Sequence, residues 1–369
     1  MSKAHTKEGN ENPAPIGLSV SFIGDISFNG QYIELYKQSL DPFENLKFWL
    51  YSRNHVIGNL ECLAKGDRGE NLLKKPRLIT TVETLNYLTN IHASVVCLAQ
   101  NHVYDHLEDG CEKTLDVLSA KGIKHLGAGF SAQEAAEPVI IDDKGIKIGL
   151  LNYVTADTNP NLPPNAGIFL NIFNQQIAEQ DISKLKPKVD HVVVLLHWGG
   201  RVEGGLFPDF DQPQIARRLI DSGADLIIGH HTHTFQPVEI YKGKHIFYSL
   251  GNFCFSEFIF ENEPVLLTLR RRITGIVGVD FHKNSYTVNT RFFRNDGKEY
   301  HPLPSYQWRM NFKNFIHRNL LNHYALWKIY FMHKQYILPF SSFFMRNDIG
   351  FATKISRIFK SVFKKLKKT

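Results

Sequence analysis

Val192-Val-Val-Leu-Leu-His197-Trp-Gly-Gly200 is the stretch that decides the fold. Five consecutive apolar residues, three of them β-branched, end at a histidine and a glycine pair. Such a run reads as a strand buried on both faces. The pattern recurs. Leu18-Ser-Val-Ser-Phe-Ile-Gly-Asp25, His55-Val-Ile-Gly-Asn-Leu-Glu61, Ala93-Ser-Val-Val-Cys-Leu-Ala99 and Ala224-Asp-Leu-Ile-Ile-Gly229 are short apolar runs closed by breakers. Helical patterns lie between them. Asp109–Ala120 ends before Gly122, and Gln214–Asp221 ends before Gly223. Turn residues at Asp143-Lys-Gly145 and Lys242-Gly-Lys244 predict hairpins over 139–154 and 238–248. The sum is a layered α/β domain with a mixed sheet and no internal repeat.

Each strand delivers a chemically loaded residue just past its carboxyl end. Asp25 follows the first and Asn59 with Glu61 the second. Asn101, His102 and Asp105 follow the third, His197 the fourth, and His230-His-Thr-His233 the fifth. In α/β sheets that edge forms the binding crevice. Carboxylates, an amide and imidazoles without a thiolate suit Mn, Fe or Zn, as one or two divalent ions. His231 and His233 stand two apart. An extended segment there points both rings to one side, where they serve two metals, or one metal and a substrate.

Composition narrows the function classes. The chain has 369 residues and a net charge of +7, and charged residues make up 21% of it. That composition, and the lack of a long apolar run, exclude collagen, coiled coils and polytopic membrane proteins. Four scattered cysteines make no disulfide framework, and the polar residues 1–16 hold no signal-peptide core. The expected setting is the cytoplasm. The charge is uneven: from Ser305 onward there are 13 Lys and Arg against Asp348 alone, so the rest of the chain is net acidic. The spacing over Phe351, Ile355, Ile358, Phe359, Val362, Phe363 and Leu366 predicts a basic amphipathic helix, suited to the inner face of an anionic membrane or to packing as a helical layer with a solvated basic face. A nucleic-acid partner is not expected, because no recognised binding module is present. The domain reading is a leader over 1–16, a main domain over 17–300 and a basic, aromatic-rich helical tail over 301–369.

The ordered motifs carry a resemblance. Gly24-Asp25, Gly58-Asn-Leu-Glu61, Ala99-Gln-Asn-His102 with Asp105 and Gly110, His197-Trp-Gly199, Gly229-His-His-Thr-His233 with Gln236 and Glu239, and Tyr248-Ser-Leu-Gly-Asn-Phe253 appear in sequence. Over about residues 17–260 the chain resembles the CapA family of bacterial poly-γ-glutamate capsule synthesis proteins, a branch similar to the calcineurin-like metallophosphoesterases. The resemblance implies a four-layer α/β/β/α sandwich around a dinuclear metal cleft. It implies Asp25, Glu61, Asn101, His197, His231 and His233 as metal ligands, with Glu61 in the bridging place. His102 would protonate the leaving group or hold the transition state, and Asp105 would orient the His102 ring. Arg201, Trp198 and His230 are the expected substrate-binding residues. The chain departs from the pattern in four places, one of them Gln100 where the family reads Asn before Asn101-His102. Ser27 replaces a histidine ligand. Glu61 replaces a shorter aspartate. After His197-Trp-Gly199 the family's glutamate is displaced, while Arg201 brings a positive charge. The implied function is capsule polymer synthesis, with metal-dependent hydrolysis or group transfer on an anionic polymer or a phosphorylated small molecule. The alternative is a non-catalytic binder of an anionic envelope polymer.

Overall fold

The computed structural model describes residues 17–260 and 263–337. The predicted leader and the helix over 351–366 lie outside the described residues. The chain divides into one compact unit ending at Asn314 and a second beginning at Phe315.

The first unit holds two large sheets, beside two two-stranded ribbons, where the apolar runs alone suggested one mixed sheet. In the first, the parallel strands Leu18–Ile26, His55–Leu60, Ala93–Cys97 and Lys124–Leu126 lie side by side. Leu18–Ile26 pairs on its other side with Ile273–Phe281 antiparallel and Asn252–Cys254 parallel, and Tyr286–Asn295 and Tyr300–Pro302 continue outward. The second sheet runs Val238–Tyr241, Lys244–Phe247, Leu226–His230, His191–His197, Ile146–Val154, Val139–Asp143. Both predicted hairpins form as its edges.

Alternation along the strands explains the second sheet. Val193 and Leu195 join Leu226 and Ile228 in a core that also takes Phe22 and Ile57 from the first sheet. Val192, Val194 and Leu196 point the other way, to Ile182, Leu185 and Leu219 on the helices Gln175–Leu185 and Gln212–Asp221. On the outer face of the first sheet, Ile23, Val56 and Val96 meet Tyr32, Leu88 and Leu118 from its covering helices. Each strand thus faces a sheet on one side and helices on the other. The result is a four-layer α/β/β/α sandwich, as the resemblance implied.

Parallel neighbours end on the same edge. Asp25 sits beside Asn59 in the first sheet, and His197 beside His230 in the second. The close approach needed there falls on glycine. A Cβ on Gly24 would collide with the Gly251 carbonyl, and one on Gly229 with the Tyr248 carbonyl.

The second unit holds the end of helix Tyr306–Asn319, helix Tyr324–Met332 and a π-helical turn His333–Ile337. No helix among the described residues is long and apolar enough to cross a membrane.

Candidate metal centre

The five strand ends converge. Asp25 is fully buried. Its Oδ1 accepts from Asn59 Nδ2 at 2.9 Å, and its Oδ2 accepts from the His231 backbone N–H at 3.3 Å. His197 Nε2 lies 3.0 Å from both Asn101 Oδ1 and His231 Nδ1. Ligand atoms about 2.1 Å from one ion and at right angles to each other are about 3 Å apart, so this spacing matches a shared cation.

Two groups of side chains at this edge can hold an ion: Asp25, Glu61 and His233, and Glu61, His197 and His231. Glu61 belongs to both. It is completely buried, and neither carboxylate oxygen has a hydrogen-bond partner among the described residues. A buried carboxylate without a donor is costly, and a cation removes that cost. The donor set also fits: carboxylate oxygens, imidazole nitrogens and one amide oxygen suit a divalent ion. The residues therefore fit one or two divalent ions.

The electrostatics of the metal-free site divide the candidate ligands. Burial pushes the Glu61 pKa up to about 8. Burial opposes the His233 cation, yet Glu61 and Asp25 outweigh it and raise its pKa to about 9. Burial also opposes the Asp25 carboxylate, but His233 holds its pKa below the ordinary value. Burial draws His231 down to about 4, and burial with the neighbouring imidazoles draws His197 well down. Those two rings are neutral at physiological pH, the form that ligates metal.

The expected extended segment at His231–His233 is not what forms. Both residues have left-handed backbone, φ +88° and +58°, costing about 1–3 kcal/mol each. The bent segment turns the rings to a centroid separation of 6.1 Å, each toward a different candidate group. His233 is fixed by Asn252, whose Oδ1 lies 2.8 Å from Nδ1. Its Nε2 is left 3.7 Å from Glu61.

His102 Nδ1 meets Asp105 Oδ2 at 2.7 Å, and His102 Nε2 is 3.9 Å from Glu61 Oε1. Burial lowers the His102 pKa against the pull of Asp105. The same Asp105 oxygen accepts from the Leu78 backbone at 2.7 Å, so one carboxylate ties the ring to the 71–78 segment.

A cavity of about 290 Å³ opens over the histidines. Its walls include Asn101, His102, His231 and His233, with Lys74, Glu203 and Arg271. Three sequence-predicted substrate residues do not line it. Trp198 is buried and donates from Nε1 to the Tyr248 carbonyl at 2.9 Å. His230 Nε2 lies 3.3 Å from the Ile23 carbonyl. Arg201 pairs with Asp209 at 2.5 Å and Asp211 at 2.7 Å. Glu203, expected to be displaced, does reach the cavity. The short 3₁₀ turn Gly200–Val202, entered through Gly199 at φ +83°, carries it there, and Arg271 pairs with it at 3.1 Å. Ser27 donates to Asn29 Oδ1 at 2.9 Å. Asn252 and Arg271 were not foreseen as site residues. The Tyr248–Phe253 motif contained the first, and no sequence signal marked the second.

Residues 19–257 match the profile of a family described as bacterial capsule synthesis protein PGA_cap. The PGA biosynthesis protein CapA of Bacillus subtilis strain 168 is 31% identical over 254 residues, covering 65% of this chain and 64% of that one. The capsule biosynthesis protein CapA of Bacillus anthracis is 28% identical over 249 residues, covering 65% and 60%. The chain thus spans less than two thirds of the length of these curated relatives. Among solved structures, a 5'-nucleotidase precursor from Thermus thermophilus aligns with a TM-score of 0.44 at 15% identity, covering 89% of this chain and 60% of that one. The profile match takes in all five loaded strand ends, from Asp25 to His233, and on that match the chain belongs to the bacterial capsule synthesis protein family, PGA_cap.

Proposed function

We propose that this protein is a metal-dependent hydrolase or group transferase serving the synthesis of an anionic capsule polymer. The observation that carries the reading is Glu61, buried, without hydrogen-bond partners among the described residues, and common to two groups of potential ligands. The relatives' names, PGA and capsule biosynthesis proteins, support the polymer as the setting.

Asp25, Glu61 and His233 would hold one Mn, Fe or Zn ion, and Glu61, His197, His231 and Asn101 a second. Such ions supply Lewis-acid polarisation of the attacked group and neutralise charge developing on it. The chain's own residues do the rest. His102, oriented through Nδ1 by Asp105, presents Nε2 on the cavity side to move a proton to or from the leaving atom. Asn252 fixes the His233 ring and Asn59 fixes Asp25. An aryl phosphate panel with Mn²⁺ tests the reading. Turnover that needs metal is expected, and no turnover together with no bound metal by elemental analysis would refute it.

The second reading is a non-catalytic binder of an anionic polymer. Ser27 favours it: the residue where related hydrolases place a histidine ligand is a buried serine turned to Asn29. Under that reading poly-γ-glutamate affinity survives His102→Ala and no substrate turns over.

Membrane association belongs to the same reading. Trp308, Phe312 and Phe315 are exposed within the strongly basic tail. Near-surface Lys and Arg contribute about 1 kcal/mol each on an anionic leaflet. Flotation with phosphatidylglycerol vesicles should fall when residues 349–369 are removed. Equal flotation would rule out anchoring by that segment.

A further inference from the structure

Lys74 is the cation of the cavity wall that the proposed chemistry leaves without a task. It is only 4% exposed. Its ammonium makes one hydrogen bond, to the Asn159 carbonyl at 3.1 Å. No carboxylate pairs with it among the described residues. An ammonium has three donors, so two remain. Burying a cation on one neutral acceptor is unfavourable unless an anion completes the shell. The other cations differ. Arg271 is already paired with Glu203, and Lys75 is exposed.

The backbone around Lys74 is built to hold it there. Arg77 donates to the Lys74 carbonyl at 2.8 Å. Asn71 donates to the Asn161 carbonyl at 3.0 Å, and the Asn71 backbone N–H reaches the Asp105 carbonyl at 3.0 Å. Leu78 is held by the Asp105 carboxylate that also meets His102. A flexible surface lysine would need none of this. Fixing the chain on both sides of Lys74 pre-organises the ammonium at the wall it shares with His102 and His233.

The geometry points to Lys74 as the specificity-determining residue of the cavity, seating an anionic group, phosphate or carboxylate, of the bound substrate. Burial lowers the Lys74 pKa, while the charges of Asp105, Glu61 and Glu203 work the other way. An anion at the vacant donors adds to that side of the balance and strengthens as water is excluded. The inference rests on the proposed metal-dependent reading of the same site.

The test titrates the full-length, Mn²⁺-loaded chain by calorimetry with inorganic phosphate and, separately, with a γ-linked triglutamate. Lys74→Gln removes the charge and leaves a polar amide, and Lys74→Arg keeps the charge. Lys74→Gln should weaken binding of at least one anion by about tenfold to a hundredfold, with Mn²⁺ content and far-UV dichroism unchanged. Lys74→Arg should stay within roughly threefold of the parent. Loss for phosphate alone, triglutamate alone or both identifies which anion the lysine seats. Unchanged affinity for both anions in Lys74→Gln, or no binding of either by the parent, overturns the assignment. Turnover of 4-nitrophenyl phosphate, followed in parallel, separates the two claims. Lysine-dependent binding without turnover keeps the anion seat and removes the hydrolytic reading. Turnover with a KM indifferent to Lys74→Gln does the reverse.

Discussion

Two buried carboxylates stand at opposite ends of the sheets. Asp225 precedes the strand Leu226–His230, and Glu61 follows the strand His55–Leu60. Asp225 is saturated: Lys186 lies at 2.5 Å, Lys244 at 2.6 Å, and the Val192 backbone N–H donates at 2.9 Å. Glu61 has no hydrogen-bond partner for either oxygen among the described residues, and the nearest imidazole nitrogens, of His233 and His102, stop at 3.7 and 3.9 Å. The protein spends donors on the first and withholds them from the second. A buried charge answered by the chain's own cations holds structure together. One left open by the chain answers to something brought from outside.

The sharpest way to break that contrast is Glu61→Gln. It removes the ligand common to both candidate groups, so bound metal and metal-dependent turnover should fall by at least about a hundredfold. The metal-free protein should melt no lower than the parent, because glutamine is the neutral isostere of a carboxyl that burial already pushes toward its protonated form. A clear fall in melting temperature would make Glu61 a structural carboxylate like Asp225. His102→Ala comes next: turnover should drop about 10²–10⁴-fold with metal content retained, checked by elemental analysis beside initial rates. Asp225→Asn should do the opposite of both. It should cost on the order of 2 kcal/mol in chemical denaturation, allowing for the partly exposed lysines, and leave metal affinity unchanged.

The smallest effect is in pH. Burial works against the Asp225 carboxylate, but Lys186 and Lys244 outweigh it and hold its pKa below the ordinary value. A depressed carboxylate stabilises fully above its unfolded pKa near 3.9, and that contribution is lost as pH falls through the lower folded value. Asp225→Asn should therefore flatten the acid side of the stability curve below about pH 4. An acid limb as steep as the parent's would show that the ion pairs contribute little.

Much of this was legible in the strand runs. An apolar stretch ending in Asp25, Glu61, Asn101, His197 or His231 announces both its burial and the edge at which it delivers chemistry. Periodicity could not tell one sheet from two. When both faces of a strand are buried, Val193 and Val194 look alike, and only packing shows that one faces a sheet and the other a helix. The bend at His231 and His233 was also hidden, because non-glycine residues at positive φ carry no sequence mark. Arg201 looked like a cleft cation until Asp209 and Asp211 were found beside it. Lys74 lies in Asn71-Leu-Leu-Lys-Lys-Pro76, a stretch with no period and no motif, where only tertiary contacts give the side chain its place.

The central claim is that Glu61 is shared by two cation seats. Anomalous diffraction from crystals grown with Mn²⁺ tests it directly. The account predicts two peaks flanking the Glu61 carboxylate, one against Asp25 and His233, the other against His197, His231 and Asn101. A Glu61 side chain with no peak within coordination distance, in crystals that carry Mn²⁺ elsewhere, would contradict it.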